Sequence, residues 1–176
     1  MAFSEGYADA PWWEKIYRQA FPSMASMTYV KQDGWAQRGG IDRVITLRSG
    51  KGLWIDEKVR SEDRPDILLE YRSNDRTGAL GWVAKDLATD YIAYAFIPSQ
   101  RCYLLPFATL RRAWKEHAAE WIKLGELGRS SHWREGEGFY ECRARNEGYW
   151  TISVAVPIPQ LMAALTDAMV INWGPL

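Results

Sequence analysis

The chain has 176 residues, the size of one domain, and its 22 basic and 22 acidic side chains cancel at neutral pH. Hydrophobic residues make up 47%, with ten Trp and nine Tyr, which supplies a core and excludes a disordered chain. A net charge of zero excludes a protein that coats nucleic acid by bulk electrostatics, although a local basic face is still available to an enzyme.

The first residues carry Glu5 and Asp9 and no apolar run, so a signal peptide is not expected. No apolar stretch reaches the length of a membrane span, and a soluble, cytoplasmic protein is the expectation. Residues 11–21 read as a helix, with Asp9 as cap, Pro11 in the opening turn, and Trp13, Ile16, Tyr17 and Ala20 on one face. Residues 43–48 and 53–59 read as two strands around a turn at 49–52, and therefore as a hairpin. A third strand follows Pro65 at 66–72, then a short helix at 80–88, then two apolar strands at 90–97 and 101–105.

A strong helix is predicted over 107–124, with Leu110, Trp114, Ala118 and Trp121 on one stripe. The Gly- and Ser-rich segment 125–138 reads as a loop, and 139–145 with 149–156 as a hairpin around Asn146-Glu147-Gly148. A last helix is expected at 157–169. This order predicts a mixed α+β or α/β fold with one central sheet, as a single domain over 1–176. Its core would lie at about 10–124, with the late hairpin and helix at 139–170. Cys102 and Cys142 have no C-x-x-C spacing, and the two His complete no zinc set, so two free thiols are expected.

One constellation points to chemistry. Asp56 and Lys58 stand at i and i+2 on a strand, which turns both, together with Trp54, to one face. Ile55 and Val59 turn to the other face, where Glu57 is a misfit among apolar neighbours. Asp42 opens the strand that pairs with this one, after Gly39-Gly40. Register decides whether it joins them. A four-residue turn at 49–52 sends Asp42 to the opposite face, whereas a three-residue loop or one bulge brings all three together. A three-residue loop ending in Gly is a common solution, and Gly52 suits it. Two carboxylates can hold a hard cation such as Mg²⁺ or Mn²⁺, and an adjacent lysine can orient a nucleophile or offset developing charge.

The runs Gln37-Arg38-Gly39-Gly40-Ile41-Asp42 and Trp54-Ile55-Asp56-Glu57-Lys58 resemble the PD-(D/E)XK, restriction-endonuclease-like nuclease superfamily, in particular phage and bacterial members with a Gly-Ile-Asp … Ile-Asp-Glu-Lys pattern. The likeness covers roughly residues 10–115, including Gly81-Trp82 leading into a helix and Thr89-Asp90-Tyr91 opening an apolar strand. Ile41 stands where the motif has its proline. The resemblance implies a mixed sheet flanked by helices, and Mg²⁺- or Mn²⁺-dependent hydrolysis of DNA phosphodiesters, with RNA as another substrate. It implies Asp42 and Asp56 as metal ligands, the backbone carbonyl of Glu57 as a further ligand, and Lys58 assisting the attacking water. Some members add a Glu from the first helix, where Glu14 is the one carboxylate, and Gln37 would help place a ligand or water.

Glu70 on the third strand stands either near the metal or in solvent. Arg111, Arg112 and Lys115 on the long helix, with Arg129 and Arg134 after it, form a local basic cluster that would grip a phosphate backbone, with Trp133 stacking a base. A homodimer is compatible with the family, but no segment marks its face. The rival expectation is a catalytically inactive module on the same fold that binds DNA or a protein partner, motivated by the neutral charge and by Glu57.

Overall fold

A computed structural model of the chain describes residues 5–30, 34–130 and 138–174. In chain order the elements are α1 (Trp12–Ala20), β1 (Met24–Tyr29), α2 (Gly34–Gly39), β2 (Arg43–Leu47), β3 (Gly52–Arg60), β4 (Asp66–Asn74), β5 (Ala79–Leu80), β6 (Tyr91–Phe96), β7 (Arg101–Pro106), α3 (Phe107–Ser130), β8 (Tyr140–Arg145), β9 (Trp150–Pro157), α4 (Ile158–Ala164) and β10 (Met169–Asn172). The fold is mixed α+β, as expected. Among the described residues there are two sheets instead of one central sheet, and by its contacts the chain divides into two compact units. Among the described residues, no helix is long and apolar enough to cross a membrane.

The first unit holds residues 1–63, 87–107 and 167–176. Its sheet has six strands in the order β1-β2-β3-β6-β7-β10, with β3 and β6 parallel and the other pairs antiparallel. α1 buries Trp13, Ile16 and Tyr17 on the face that carries Ile45, Leu53, Ile55, Val59, Ala93, Ala95, Cys102 and Leu104. These strand positions alternate with period 2, and the helix positions recur at helical spacing, so sequence pattern fixes which face is covered. Trp12 stacks on Trp173 beyond β10, with ring centroids 4.8 Å apart.

The second unit holds residues 64–86 and 108–166. Its antiparallel sheet has the order β5-β4-β9-β8. Trp114 and Trp121 of α3 meet Tyr71 and Phe139, at centroid distances of 6.0 and 6.4 Å. Glu141 is buried on β8, where it accepts hydrogen bonds from Arg143 (2.7 Å) and Tyr71 (3.2 Å) and pairs with Arg129 at 2.8 Å.

Three stretches depart from the sequence reading. The helix expected at 80–88, which the family likeness places after Gly81-Trp82, is replaced by β5 and a turn. Gly81 donates to the Tyr71 carbonyl at 3.0 Å and Val83 to the Glu70 carbonyl at 3.2 Å, so this backbone is spent on β4 rather than on a helix. A Cβ at Gly81 would stand 2.2 Å from the Glu70 carbonyl oxygen, which is why only glycine fits. The last helix stops at Ala164, because Leu165 turns extended and the chain goes on to form β10 along the edge of β7.

The long helix runs six residues past the expected end, through Gly125 and Gly128, which read as loop formers. Their role is contact. A Cβ at Gly128 would lie 2.1 Å from the Phe139 carbonyl oxygen, and one at Gly125 would lie 2.9 Å from the Val154 side chain. Gly128→Ala gains about 1 kcal/mol of helix propensity but forces the helix off β8, so a net loss of about 1–3 kcal/mol is expected, read as a lower Tm. An unchanged or raised Tm would contradict this packing.

Candidate active site

The β2–β3 hairpin builds the site. Arg43 pairs with Ile55, Val44 with Trp54, Ile45 with Leu53 and Thr46 with Gly52. The Leu47 amide bonds the Lys51 carbonyl (2.8 Å), and the Gly50 amide bonds the Leu47 carbonyl (2.9 Å). The loop is therefore Arg48-Ser49-Gly50, the three-residue one of the alternatives the sequence leaves open. The glycine that closes it is Gly50, at φ 84°, and not Gly52, which lies in β3.

This even register turns Asp42 toward Asp56. Asp42 sits one residue before β2, and its amide donates to the Ile55 carbonyl at 2.8 Å, a local irregularity beside the regular Arg43–Ile55 pair. Its Oδ2 accepts the Glu57 amide at 2.8 Å. On the side of Asp42 away from β2, Gly40 takes φ 69°, and a Cβ there would lie 3.0 Å from Leu87. The Gly39-Gly40 lead-in thus lets the chain turn sharply from α2 into the site.

Asp42 and Asp56 are 7% and 4% exposed. Lys58 Nζ lies 2.5 Å from Asp56 Oδ1 and is half-buried. Burial pushes the Asp56 carboxyl up to about 6; the Lys58 ammonium opposes this, and the Asp42 carboxylate adds to it by charge and by a shared hydrogen bond. Two acids held together out of water, with one lysine beside them, are short of positive charge. Among the described residues no group of three or more His, Cys, Asp or Glu gathers to hold a metal, so a cation here would have two carboxylates and main-chain oxygen.

Main-chain oxygen is at hand. Along β3 the backbone groups of Trp54 and Arg60 face β6, whose neighbours Asp90 and Ile97 donate to their carbonyls at 2.7 and 3.0 Å. Residues 55 and 57 therefore face the β2 side, and Ile55 does accept Asp42 there. The Glu57 amide points at the Asp42 carboxylate, and its carbonyl lies on the same strand edge. The donor set of Asp42, Asp56 and this carbonyl suits a hard cation.

The Glu57 side chain serves a separate purpose on the opposite face. Arg43 Nε donates to Glu57 Oε1 at 2.6 Å, and the Tyr17 hydroxyl donates to the same oxygen at 2.7 Å. Arg43 Nη2 also donates to the Ala8 carbonyl at 2.5 Å. Burial raises the Glu57 carboxyl despite both partners, and it raises Tyr17 and Cys102 well above their usual ranges, with Glu57 adding to each. The misfit on the apolar face is a buried ion pair under α1.

The other expected residues lie on α1, α2, β4 and α3, or outside the described residues. Glu14 is exposed on α1, paired with Arg18 at 2.7 Å, and α1 covers the face of Ile55 and Glu57 rather than that of Asp56. Gln37 lies in α2. Glu70 is half-buried on β4, in the second unit. Of the basic cluster, Arg112 and Lys115 are exposed on α3, Arg111 is half-buried with Asp86 at 3.7 Å, and Arg129 is engaged with Glu141 at 2.8 Å. Arg134 and Trp133 lie outside the described residues.

The alternation that turns Trp54, Asp56 and Lys58 to one face also places Arg60 there, a neighbour the sequence expectations leave out, and Arg60 Nη1 donates to the Tyr94 hydroxyl at 3.3 Å. Extending the period by one step toward the C-terminus finds it. No protein-family model, curated protein or solved structure matches this chain.

Proposed function

We propose that the chain is a Mg²⁺- or Mn²⁺-dependent nuclease that hydrolyses DNA phosphodiester bonds, on a restriction-endonuclease-like version of its mixed sheet. The observation that carries this reading is the pairing of two buried carboxylates, Asp42 and Asp56, across a hairpin, with Lys58 at 2.5 Å from one of them. Asp42, Asp56 and the Glu57 carbonyl would hold the cation. When bound, it would lower the pKa of a water and offset charge on the phosphate. Lys58, anchored by Asp56, is placed to orient the attacking water and to meet charge developing on the phosphoryl oxygens. Asp42, fixed by the Glu57 amide, keeps its carboxylate aimed at the same point. The reading places the protein in the cytoplasm, with DNA as partner, RNA as an alternative substrate and a homodimer compatible with it.

The test is cleavage of linear, branched and single-stranded DNA by purified protein in Mg²⁺ or Mn²⁺. Asp42→Ala and Lys58→Ala should each lower the rate at least about 100-fold while the circular dichroism spectrum stays native. Cutting that survives in both variants, or that persists in EDTA, contradicts the proposal. A second reading, a module that binds DNA without cutting it, draws on the net charge of zero. Its other motive, the misfit of Glu57, is gone, because that side chain is satisfied internally.

A further inference from the structure

We propose that Trp35 and Trp54 form a base-stacking platform beside the Asp42–Asp56 pair, so that the strand presented for cutting is single-stranded. This inference rests on the nuclease reading for its chemistry, but not for the platform itself.

Two large aromatic side chains stand out of the core together. Trp35 is 51% exposed and Trp54 is 39% exposed, although their rings meet edge to face, with centroids 6.3 Å apart and planes at 62°. Neither is placed there by accident of a loose loop. α2 is anchored on the sheet by a small buried cluster, Val30, Ala36 and Ile41, with Val44 packed against it, and this sets Trp35 at the start of the helix. Trp54 pairs with Val44 across the hairpin. Its backbone is clamped by the two residues just before β6: its amide donates to Asp90 Oδ2 at 2.8 Å, and its carbonyl accepts the Asp90 amide at 2.7 Å and the Thr89 hydroxyl at 2.9 Å.

Position gives the pair its meaning. Trp54 is two residues from Asp56 on the same strand face, about 7 Å along the chain at the usual strand rise. A base resting on the indole would hold its own phosphate, or the next one, over the carboxylate pair and Lys58. In a duplex the base faces are already stacked on one another, so an aromatic platform can be used only by a strand whose bases are free. The net charge of zero agrees with this choice. Duplex binding draws most of its affinity from Lys and Arg on phosphates, whereas stacking contributes without charge.

The experiment is fluorescence anisotropy on a short labelled mixed-sequence single strand and on a blunt duplex hairpin, in EDTA, with the full chain. The single strand should bind more tightly than the duplex. Trp35→Ala and Trp54→Ala should each weaken single-strand binding about 5- to 100-fold, with little change for the duplex, and Trp54→Phe should retain most of the affinity. Circular dichroism and Tm on each variant separate lost stacking from lost folding. Single-strand affinity unchanged in both alanine variants, or a duplex preference in the parent, overturns the platform. Tryptophan-dependent single-strand binding with no cutting in Mg²⁺ keeps the platform and removes the nuclease reading. Mg²⁺-dependent cutting of duplex that both alanine variants retain does the reverse.

Discussion

Asp56→Asn is expected to abolish cleavage and, in the same protein, to raise the stability of the metal-free fold at neutral pH. The two effects have one cause. Asp56 is buried beside Asp42, and its carboxyl is pushed up to about 6 from the usual value of 3.8. In the folded chain it therefore binds a proton more tightly than in the unfolded chain. Stability from this group is greatest at acid pH, falls as pH rises from about 4 to about 6, and stays low above that. At pH 7.5 the ionised form costs on the order of 2–3 kcal/mol, from the size of that displacement. The amide keeps an acceptor for Lys58 and removes the charge, so a gain of about 1–3 kcal/mol is expected at pH 7.5, vanishing near pH 4. Thermal melts of parent and variant across that range measure it. If Asp56 served only as an ion-pair partner for Lys58, the same change would lower Tm at pH 7.5. In the parent, proton and cation compete for Asp56, so cation affinity should fall as pH drops below about 6.

Arg43→Ala should be the most destabilising single change on the α1 face. Arg43 and Glu57 are both buried and joined at 2.6 Å. Removing one member of such a pair strands the other charge, at a cost of about 3–5 kcal/mol. The loss should shrink at acid pH. Glu57 already sits above its usual range, and without Arg43 it rises further and accepts a proton. Arg43→Met with Glu57→Leu removes both charges, and the double variant should recover most of the stability lost in the single one. Denaturant melts of the parent and the two variants test this. Equal losses in the single and double variants would mean that packing, and not stranded charge, sets the cost. Arg43 is adjacent to Asp42, so this pair also holds the hairpin end on which the site depends.

The hairpin was legible because its signals are local. A Gly-bearing turn between two alternating strands fixes the register, and the register alone decides whether Asp42 meets Asp56. The sequence left two turn lengths open, and the three-residue loop turns on Gly50 rather than Gly52. What was not legible is what depends on distant backbone. β1 is an edge strand, Met24–Tyr29, with a bulge between Met24 and Ser26 and no clean alternation. α2 has six residues, too short to show a helical period. Gly125 and Gly128 read as loop formers and Gly81 as the way into a helix, yet all three mark close contacts: Gly81 with the Glu70 backbone of β4, and the other two, inside a helix, with the Val154 side chain and the Phe139 carbonyl. Glu57 looked wrong on its face only because Arg43 and Tyr17, 14 and 40 residues away in sequence, are invisible as partners in a linear reading.

The Asp42–Asp56 pair as a cation site is most directly tested by diffraction from crystals soaked in Mn²⁺, with the anomalous signal locating the ion. The account predicts one peak within about 2–2.6 Å of a carboxylate oxygen of Asp42, one of Asp56 and the Glu57 carbonyl, and loss of that peak in Asp56→Asn. An ion bound elsewhere, or a native pair that stays metal-free at saturating Mn²⁺ and pH 7.5, would contradict it.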